Sequence, residues 1–368
     1  MINFIYKILI IFSAFFPGFI SAELVACKPS PNLDIINVVW GREFTDSFLK
    51  ISLPPQLCPG NLGCLIPGSA RYRIFTTTED WEYMQSAESM KKLMAMIPVD
   101  FIKIDHLLQT DPYQKMTICH NLAIEDANNE GRALVFLSPD CLISNQTFQT
   151  ILKSIALGKR VVMVAALRLK KEIIAPIIES LYDNKNCYNL GLDSRYLVNV
   201  AMPHIHPLSE SLIFQNEEIN KNVSAIYWRL DSHNLLAFSY HLHPLFVWPE
   251  TPETINSSTV DDGFVFHACP STEKWEVIQD SDEMAIFEFS NYERTFRGGS
   301  PIMMYCNPFN VANWGNYNVK PHHWLFIKKP MLIHSSEYKL EWEPIEKEAY
   351  AFIQEVLNIA GAGIIQKR

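Results

Sequence analysis

The stretch RALVFLSPDCLIS, Arg132–Ser144, sets the fold class of this chain. Its residues Ala133–Leu137 are apolar or small, which predicts a buried strand. This strand runs through Ser138 and Pro139 into Asp140, and the following SNQTFQTILKSIALG predicts a helix. In open α/β sheets, ligands bind at the carboxyl edge of the strands. Asp140 is therefore a candidate metal ligand for a diphosphate, and the alternative is an aspartate that caps a turn or helix without binding anything.

Strands and helices alternate on both sides of this stretch. Further strands are predicted at Asp34–Trp40, Arg71–Thr77, Asp100–Ile104 and Arg160–Leu167, and helices at Ser86–Ile97, Asp111–Asn129 and Asn145–Leu157. This alternation predicts a doubly wound, mostly parallel sheet with crossover connections.

After about Lys170 the pattern changes to apolar pieces rich in His, Pro and Trp, which predict added strands and long loops. The closing segment WEPIEKEAYAFIQEVLNIAG predicts an amphipathic helix. No Gly/Ser linker separates the two parts of the chain. The sequence therefore predicts one unit with two halves, residues 34–169 and 170–368.

Residues 1–22 are a separate segment, in which Lys7 precedes the apolar ILIIFSAFFPGFI and a few small residues. This pattern resembles a secretory signal peptide or an N-terminal anchor, and the alternative is a buried N-terminal helix. The expected location is therefore exported or membrane-anchored, or the cytoplasmic side if the segment is an uncleaved anchor or a misread start. The net charge of −9 over 368 residues argues against nucleic acid as the main partner.

Two further groups of residues could carry chemistry. Asp261 and Asp262 are adjacent in VDDGFVF, and because like charges and burial raise a carboxyl pKa, one of them can act as a base near neutral pH. The alternative is a solvated turn. His241 and His243 lie two residues apart, so on a strand they share a face and can hold one metal, or can simply pack in the core.

Other motifs narrow the choice of function. Gly41, directly after Trp40 and the first strand, permits close approach of a ligand to the backbone. The chain has no G-x-G-x-x-G, no P-loop and no G-x-S-x-G motif. Dinucleotide-binding, P-loop and hydrolase-fold esterase interpretations therefore lose their main support.

The order of these parts resembles the GT-A fold of glycosyltransferases, the nucleotide-diphospho-sugar transferase superfamily, including uncharacterised bacterial members. INVVWGREF, with Trp40 and Gly41, looks like the first strand and loop that grip the nucleotide base and ribose. VFLSPD resembles the D-x-D motif after the fourth strand, with Asp140 at its last position. Ser138 stands at the first acidic position, which departs from the motif.

Two later segments extend the resemblance. VDDGFVF looks like the family's acidic pair that reaches the acceptor hydroxyl, which implies that Asp262 or Asp261 takes the acceptor proton. His334, in PMLIHSS, sits where a C-terminal His often completes the metal shell. The resemblance thus implies Mn²⁺ or Mg²⁺ held by Asp140 and His334, with Arg168 adding positive charge at the diphosphate.

The resemblance implies an α/β, GT-A-like doubly wound sheet, mostly parallel, with an added smaller mixed sheet and a C-terminal helix. Residues 34–169 would bind the nucleotide sugar and residues 170–368 would complete the acceptor side. The implied enzyme is a glycosyltransferase of the hexosyltransferase type. Its partners would be a nucleotide-sugar donor and a glycan, lipid or protein acceptor, with membrane attachment possible through the N-terminus.

Two other functions remain open from the sequence. An exported metal-dependent hydrolase would use His241, His243, Asp261 and Asp262, and would suit a signal segment better because nucleotide sugars are not expected outside the cytoplasm. A catalytically silent sugar- or nucleotide-binding protein of the same fold is favoured by Ser138, where the second acid of the metal motif is missing.

Overall fold

A computed structural model describes residues 30–182, 190–215, 217–256, 259–261, 263–293 and 301–363 of the chain. In it, the strand predicted at Ala133–Leu137 is the middle strand of a seven-stranded sheet. The strands are β1 Leu33–Val38, β2 Ala70–Thr76, β3 Val99–Lys103, β4 Ala133–Leu137, β5 Cys141–Ile143, β6 Val161–Val164, β7 Ala166–Lys170, β8 Glu218–Asn220, β9 Ala225–Asp231, β10 Asn234–Ser239, β11 His243–Val247, β12 Trp275–Val277, β13 Ile286–Ser290, β14 Met303–Tyr305 and β15 Met331–Ile333. The helices are α1 Arg42–Ser47, α2 Leu53–Gln56, α3 Thr78–Met84, α4 Glu88–Met96, α5 Pro112–Glu130, α6 Thr147–Ala156, α7 Lys171–Tyr182, α8 Ser194–Ala201, α9 Pro207–Glu210, α10 Phe264–Ala268, α11 Pro308–Asn318, α12 His323–Phe326 and α13 Glu343–Ala360.

The central sheet has the strand order β12-β6-β11-β4-β1-β2-β3, and all its pairings are parallel except the two that β11 makes. Every residue of β1, β4 and β6 is buried, as their near-continuous apolar runs predict for strands covered on both faces. The chain adds β2 and β3 on one side of β1 and β4 on the other. The direction of winding therefore reverses between β1 and β4, and ligands bind at such a switch point, outside the carboxyl ends of the strands.

Smaller sheets and a C-terminal helix complete the architecture. In the described residues they are the three-stranded sheets β15-β10-β9 and β5-β13-β7 and the pair β14-β8. Helix α13 packs against β9 in a second apolar core, where the rings of Trp228 and Phe352 meet at 5.5 Å. The predicted fold class is confirmed: a doubly wound, mostly parallel sheet with smaller added sheets and a C-terminal helix.

Three details differ from the sequence prediction. The predicted strand Arg160–Leu167 is divided at Ala165, because β6 belongs to the central sheet and β7 to the sheet β5-β13-β7. The apolar run in VDDGFVFHACP forms helix α10, which begins after Gly263 at a φ of 114°. Strand β11 is inserted antiparallel between β4 and β6, a pairing between segments far apart in the chain.

The N-terminal prediction is not tested by the structure, because residues 1–22 lie outside the described residues. None of the described helices combines the length and the apolar composition that a membrane span requires.

Candidate functional site

The switch point between β1 and β4 is lined by the residues that follow these two strands. Trp40 and Gly41 follow β1, and Ser138 and Asp140 follow β4. Gly41 has a φ of 82°, in the left-handed region that favours glycine, and its N–H donates to an oxygen of Asp80 at 2.8 Å. A Cβ built on Gly41 would meet nothing within 4 Å, so space is open in front of this backbone. A ligand can therefore approach the chain here, as the sequence predicts.

Trp40 is held from one side by helix α5. The ammonium of Lys115 lies 4.4 Å from the centre of the indole ring, a cation–π contact, and Lys115 is buried. The indole itself is only partly buried. This contact orients the ring that directly follows β1.

Asp140 lies in a cluster of charged side chains with Arg168 and Glu288. Strand β13 brings Glu288 into register with Cys141 on one side and with Arg168 on the other. Arg168 and Glu288 form an ion pair. Burial and the charge of Glu288 raise the pKa of Asp140, against the opposing effects of a hydrogen bond with the Ser138 side chain and the charge of Arg168. Two carboxylates and one guanidinium thus converge at the carboxyl end of β4.

Glu288 is a site residue that the sequence analysis missed. It lies between the buried Phe287 and Phe289 in β13, so a single acid interrupts an otherwise apolar strand. That interruption is the local signal for Glu288. That Glu288 lies near Asp140 follows only from the pairing of β13 with β5, which the sequence does not reveal.

His334 lies in a different cluster from Asp140. Its ring follows β15, is buried, and donates from Nδ1 to the carbonyl of Ser336 at 2.6 Å. Its Nε2 lies 2.8 Å from Asp280 and 3.6 Å from Asp282. Burial opposes protonation of this ring, but the bonds to Asp280 and Ser336 outweigh it and raise the pKa of His334. None of its contacts in the described chain is with Asp140.

Asp280, Asp282 and His334 form a possible metal site, with ligand atoms within 4.8 Å of one another. A backbone carbonyl that holds one ring nitrogen while the other faces carboxylates is typical of a metal-binding imidazole. Arg195, however, binds both oxygens of Asp282, at 2.9 and 2.7 Å. An ion in this cluster would have to compete with that guanidinium.

The histidines of the hydrolase alternative stack with other rings. The ring of His241 lies 4.4 Å from that of His323, which lies 4.2 Å from His322, and His322 stacks on Phe266. His243 donates from Nε2 to the carbonyl of Phe136 at 2.9 Å. Where the structure describes the chain, the group of three metal-ligating side chains is the Asp280 cluster and not this one.

Of the predicted acidic pair, Asp261 is among the described residues. Asp261 is exposed, and its carboxylate accepts a hydrogen bond from the hydroxyl of Thr259. Asp262 lies outside the described residues, so its predicted role as the catalytic base stays a prediction.

His120, on α5 beside the crevice, gives the first testable prediction. Burial, helped by the nearby His243, lowers its pKa to about 4. Because the unfolded chain binds this proton near pH 6.5, the contribution of His120 to stability is present above that pH and is lost as the pH falls towards 4. We expect a loss of about 3 kcal/mol over this interval, which is absent in His120→Gln.

Urea unfolding between pH 7 and pH 4 measures this effect. His106→Gln, which changes an exposed histidine, is the matched control and is expected to follow the wild type. Equal pH dependence in His120→Gln and the wild type would contradict the prediction.

Comparisons with known proteins give only loose likenesses. No protein-family model and no curated protein matches the chain. The mannosyltransferase PcManGT from Pyrobaculum calidifontis, in complex with GDP-Man and Mn²⁺, is 9% identical over 98% of this chain and 81% of its own, with a TM-score of 0.35. TarS from S. aureus is 10% identical over 90% of this chain, with a TM-score of 0.34, and the chain spans 44% of TarS. The mannosyltransferase Ktr4p from S. cerevisiae is 13% identical over 47% of this chain and 50% of its own, with a TM-score of 0.25.

Two of these three proteins are mannosyltransferases by their own descriptions. Likenesses this loose carry no argument about donor, acceptor or metal.

Proposed function

We propose that this protein is a glycosyltransferase that moves a sugar from a nucleoside-diphosphate donor to an acceptor hydroxyl. The observation that carries the proposal is the cluster of Asp140, Glu288 and Arg168 at the carboxyl end of β4, beside the switch point of the sheet. The sugar leaves a diphosphate on which negative charge develops. A site for this reaction must stabilise that charge, and this cluster has the groups to do so.

The cluster fits a divalent ion of the Mn²⁺ or Mg²⁺ type. Such ions prefer oxygen ligands and are commonly held by one or two carboxylates together with substrate phosphates. The charge of Glu288 raises the pKa of Asp140, so the two carboxylates repel each other, and a bound cation would relieve that repulsion. Glu288 is therefore the second acidic residue of the proposed metal site, in place of the acid that the D-x-D motif would have at Ser138. When bound, the ion would stabilise the leaving diphosphate as a Lewis acid.

Arg168 adds a second positive charge for the diphosphate. Its side chain is 37% exposed, so the guanidinium can reach a ligand while it remains paired with Glu288. A guanidinium matches phosphate oxygens with two parallel hydrogen bonds. Glu288 orients Arg168, and Arg168 binds the donor.

The donor's nucleoside is assigned to the end of β1. The partly buried indole of Trp40 offers a flat face for the base, and the open space at Gly41 lets the ribose approach the backbone. Asp262, or its neighbour Asp261, would accept the acceptor's proton if the reaction inverts the sugar. These roles follow the sequence prediction.

We assign the donor's ion to Asp140 and Glu288 rather than to His334. The reason is that Arg195 binds both oxygens of Asp282 beside His334, whereas Arg168 pairs with only one oxygen of Glu288. The possible metal site of Asp280, Asp282 and His334 remains the competing position for the ion.

Thermal unfolding with nucleotides tests the proposal. A ligand that binds only the folded protein stabilises it, by about 2.7 kcal/mol at a hundred times its Kd. We expect UDP or GDP to raise the Tm in the presence of Mn²⁺ and to do so less without it. The transferase proposal fails if no nucleotide diphosphate raises the Tm with any divalent metal, and binding without turnover of any sugar donor would favour the silent binding protein.

We also propose that residues 1–22 export the protein or anchor it to a membrane, as their composition predicts. N-terminal sequencing of the mature chain separates the two forms of this proposal: a start near residue 23 supports a cleaved signal peptide, and a start at Met1 refutes cleavage.

A further inference from the structure

A cavity of about 780 Å³ opens where β7 and β13 end, outside the cluster of Asp140, Glu288 and Arg168. Its lining residues are Lys170, Glu172, Ile173, Asn291, Tyr292 and Glu293. Its volume is within the range of small-molecule sites. None of the predicted or proposed site residues lies in it.

The cavity continues directly from the charged cluster. Along β7, the half-exposed Arg168 and Lys170 alternate with buried Leu167 and Leu169, so both polar side chains lie on the same face. Two residues along a strand span about 7 Å. A molecule in the cavity can therefore present one of its groups to a donor whose diphosphate lies at Arg168.

The lining of the cavity is connected by hydrogen bonds to helix α1, which follows Trp40 and Gly41. The amide of Asn291 donates to Glu43 of α1 at 2.8 Å, and Lys171 pairs with the same carboxylate at 3.1 Å. Glu43 follows Trp40 and Gly41 closely in sequence. One short network thus connects the proposed nucleoside site with the wall of the cavity.

The lining suits an uncharged, hydroxyl-rich ligand. Tyr292 is 52% exposed, and its backbone N–H donates to Glu172 at 2.8 Å, which holds the residue in the lining of the cavity. The ammonium of Lys170 lies 5.8 Å from the centre of that ring. A sugar has an apolar C–H face for an aromatic ring and hydroxyl groups for carboxylates and ammonium groups. A diphosphate fits poorly, because Glu172 and Glu293 together outnumber the charge of Lys170.

We infer that this cavity binds the acceptor and that the acceptor is a carbohydrate, with Tyr292 as the stacking platform and Glu172 and Lys170 as partners for its hydroxyl groups. This inference rests on the proposed transferase function. It narrows the acceptor from a glycan, a lipid or a protein to a glycan or a glycosylated molecule that presents its sugar.

Saturation-transfer-difference NMR on the full chain tests the inference. The probes are methyl glycosides of glucose, mannose and N-acetylglucosamine, and the disaccharide maltose. We expect at least one probe to receive saturation, and Tyr292→Ala to reduce that signal at least fivefold. Tyr317→Ala is the matched control, because Tyr317 on α11 is 89% exposed and away from the cavity lining.

Three results would overturn the inference. No probe binds, or Tyr292→Ala binds the probe as well as the wild type does. In the third, UDP or GDP with Mn²⁺ displaces the saccharide, which would show that the cavity binds the nucleotide. The two proposals fail separately. Nucleotide binding without saccharide binding removes the acceptor site and leaves the transferase. Saccharide binding that depends on Tyr292, without any nucleotide binding, removes the transferase.

Discussion

Asp140→Asn is expected to abolish Mn²⁺-dependent nucleotide binding and to lower sugar transfer by roughly a hundredfold or more, the scale of losing one strong electrostatic contact to developing charge. The asparagine keeps the shape of the side chain and can still accept the hydrogen bond of Ser138. It removes only the negative charge of the carboxylate, which we propose binds the metal. The fold should be unaffected, because Asp140 lies in the turn after β4 and its replacement has the same size.

The measurement is a titration of Mn²⁺ in the presence of UDP or GDP, in which electron paramagnetic resonance counts the free ion. Asp282→Asn is the matched control, since it removes the same charge from the other possible metal cluster. If Asp282→Asn loses the ion and Asp140→Asn keeps it, the metal belongs with His334 and the assignment here is wrong.

Glu288→Gln separates two roles for this carboxylate. If Glu288 ligates the ion, Mn²⁺ affinity in the presence of nucleotide falls as it does in Asp140→Asn. If Glu288 only holds Arg168, the guanidinium turns to Asp140, and nucleotide binding falls with or without the metal. The Mn²⁺ titration, together with a calorimetric titration of UDP or GDP in the absence of Mn²⁺, therefore distinguishes a metal ligand from a positioning residue.

The strands of the central sheet are predictable because of how they are buried. β4 and β6 are covered on both faces, so their sequences are continuously apolar and stand out from the helices between them, and β1 is apolar apart from Asp34 and Asn37. The position of β11 could not be predicted in the same way. Its pairing with β4 joins residues more than a hundred positions apart, and such a contact leaves no periodic signal in either segment.

The residues of the site divide in the same way, into those marked by a local sequence feature and those brought together by long-range pairing. Asp140 is visible in the sequence because a strand end is a local feature, and the approach to Gly41 is visible for the same reason. Glu288 becomes a neighbour of Asp140 only through the register of β13 with β5. Asp280 and Asp282 become neighbours of His334 because Asp280 forms a parallel bridge with Leu332 in β15, a contact that no local pattern encodes.

Removing the charge of Asp34 is expected to cost the fold several kcal/mol of stability. It lies fully buried in β1, at the edge opposite the proposed site, and its carboxylate binds Arg71 at 2.8 and 2.7 Å and also pairs with Arg132. Arg73, itself buried, lies 3.6 Å away. Removing one partner of a buried ionic group leaves uncompensated charge, at a cost of about 3–5 kcal/mol.

Asp34→Asn should therefore lower the free energy of unfolding by about that amount, which is a large share of the 5–15 kcal/mol typical of a folded domain. Arg71 and Arg73 keep other acidic neighbours, Glu130 and Asp126, so the loss is expected to stop short of complete unfolding. Urea unfolding at neutral pH measures it. Asp126→Asn is the control, since its side chain is 50% exposed and its pairing is expected to contribute less than about 1 kcal/mol.

Arg71→Met keeps the test decisive if Asp34→Asn does not fold. It removes the cation with the two bonds to Asp34 and leaves Arg132 in place, so we expect a smaller loss than in Asp34→Asn but a larger one than in Asp126→Asn. Because Asp34 would stay paired, the loss should shrink little with added salt, whereas an exposed pair is screened. An Arg71→Met protein as stable as the wild type would show that the cluster does not stabilise the fold.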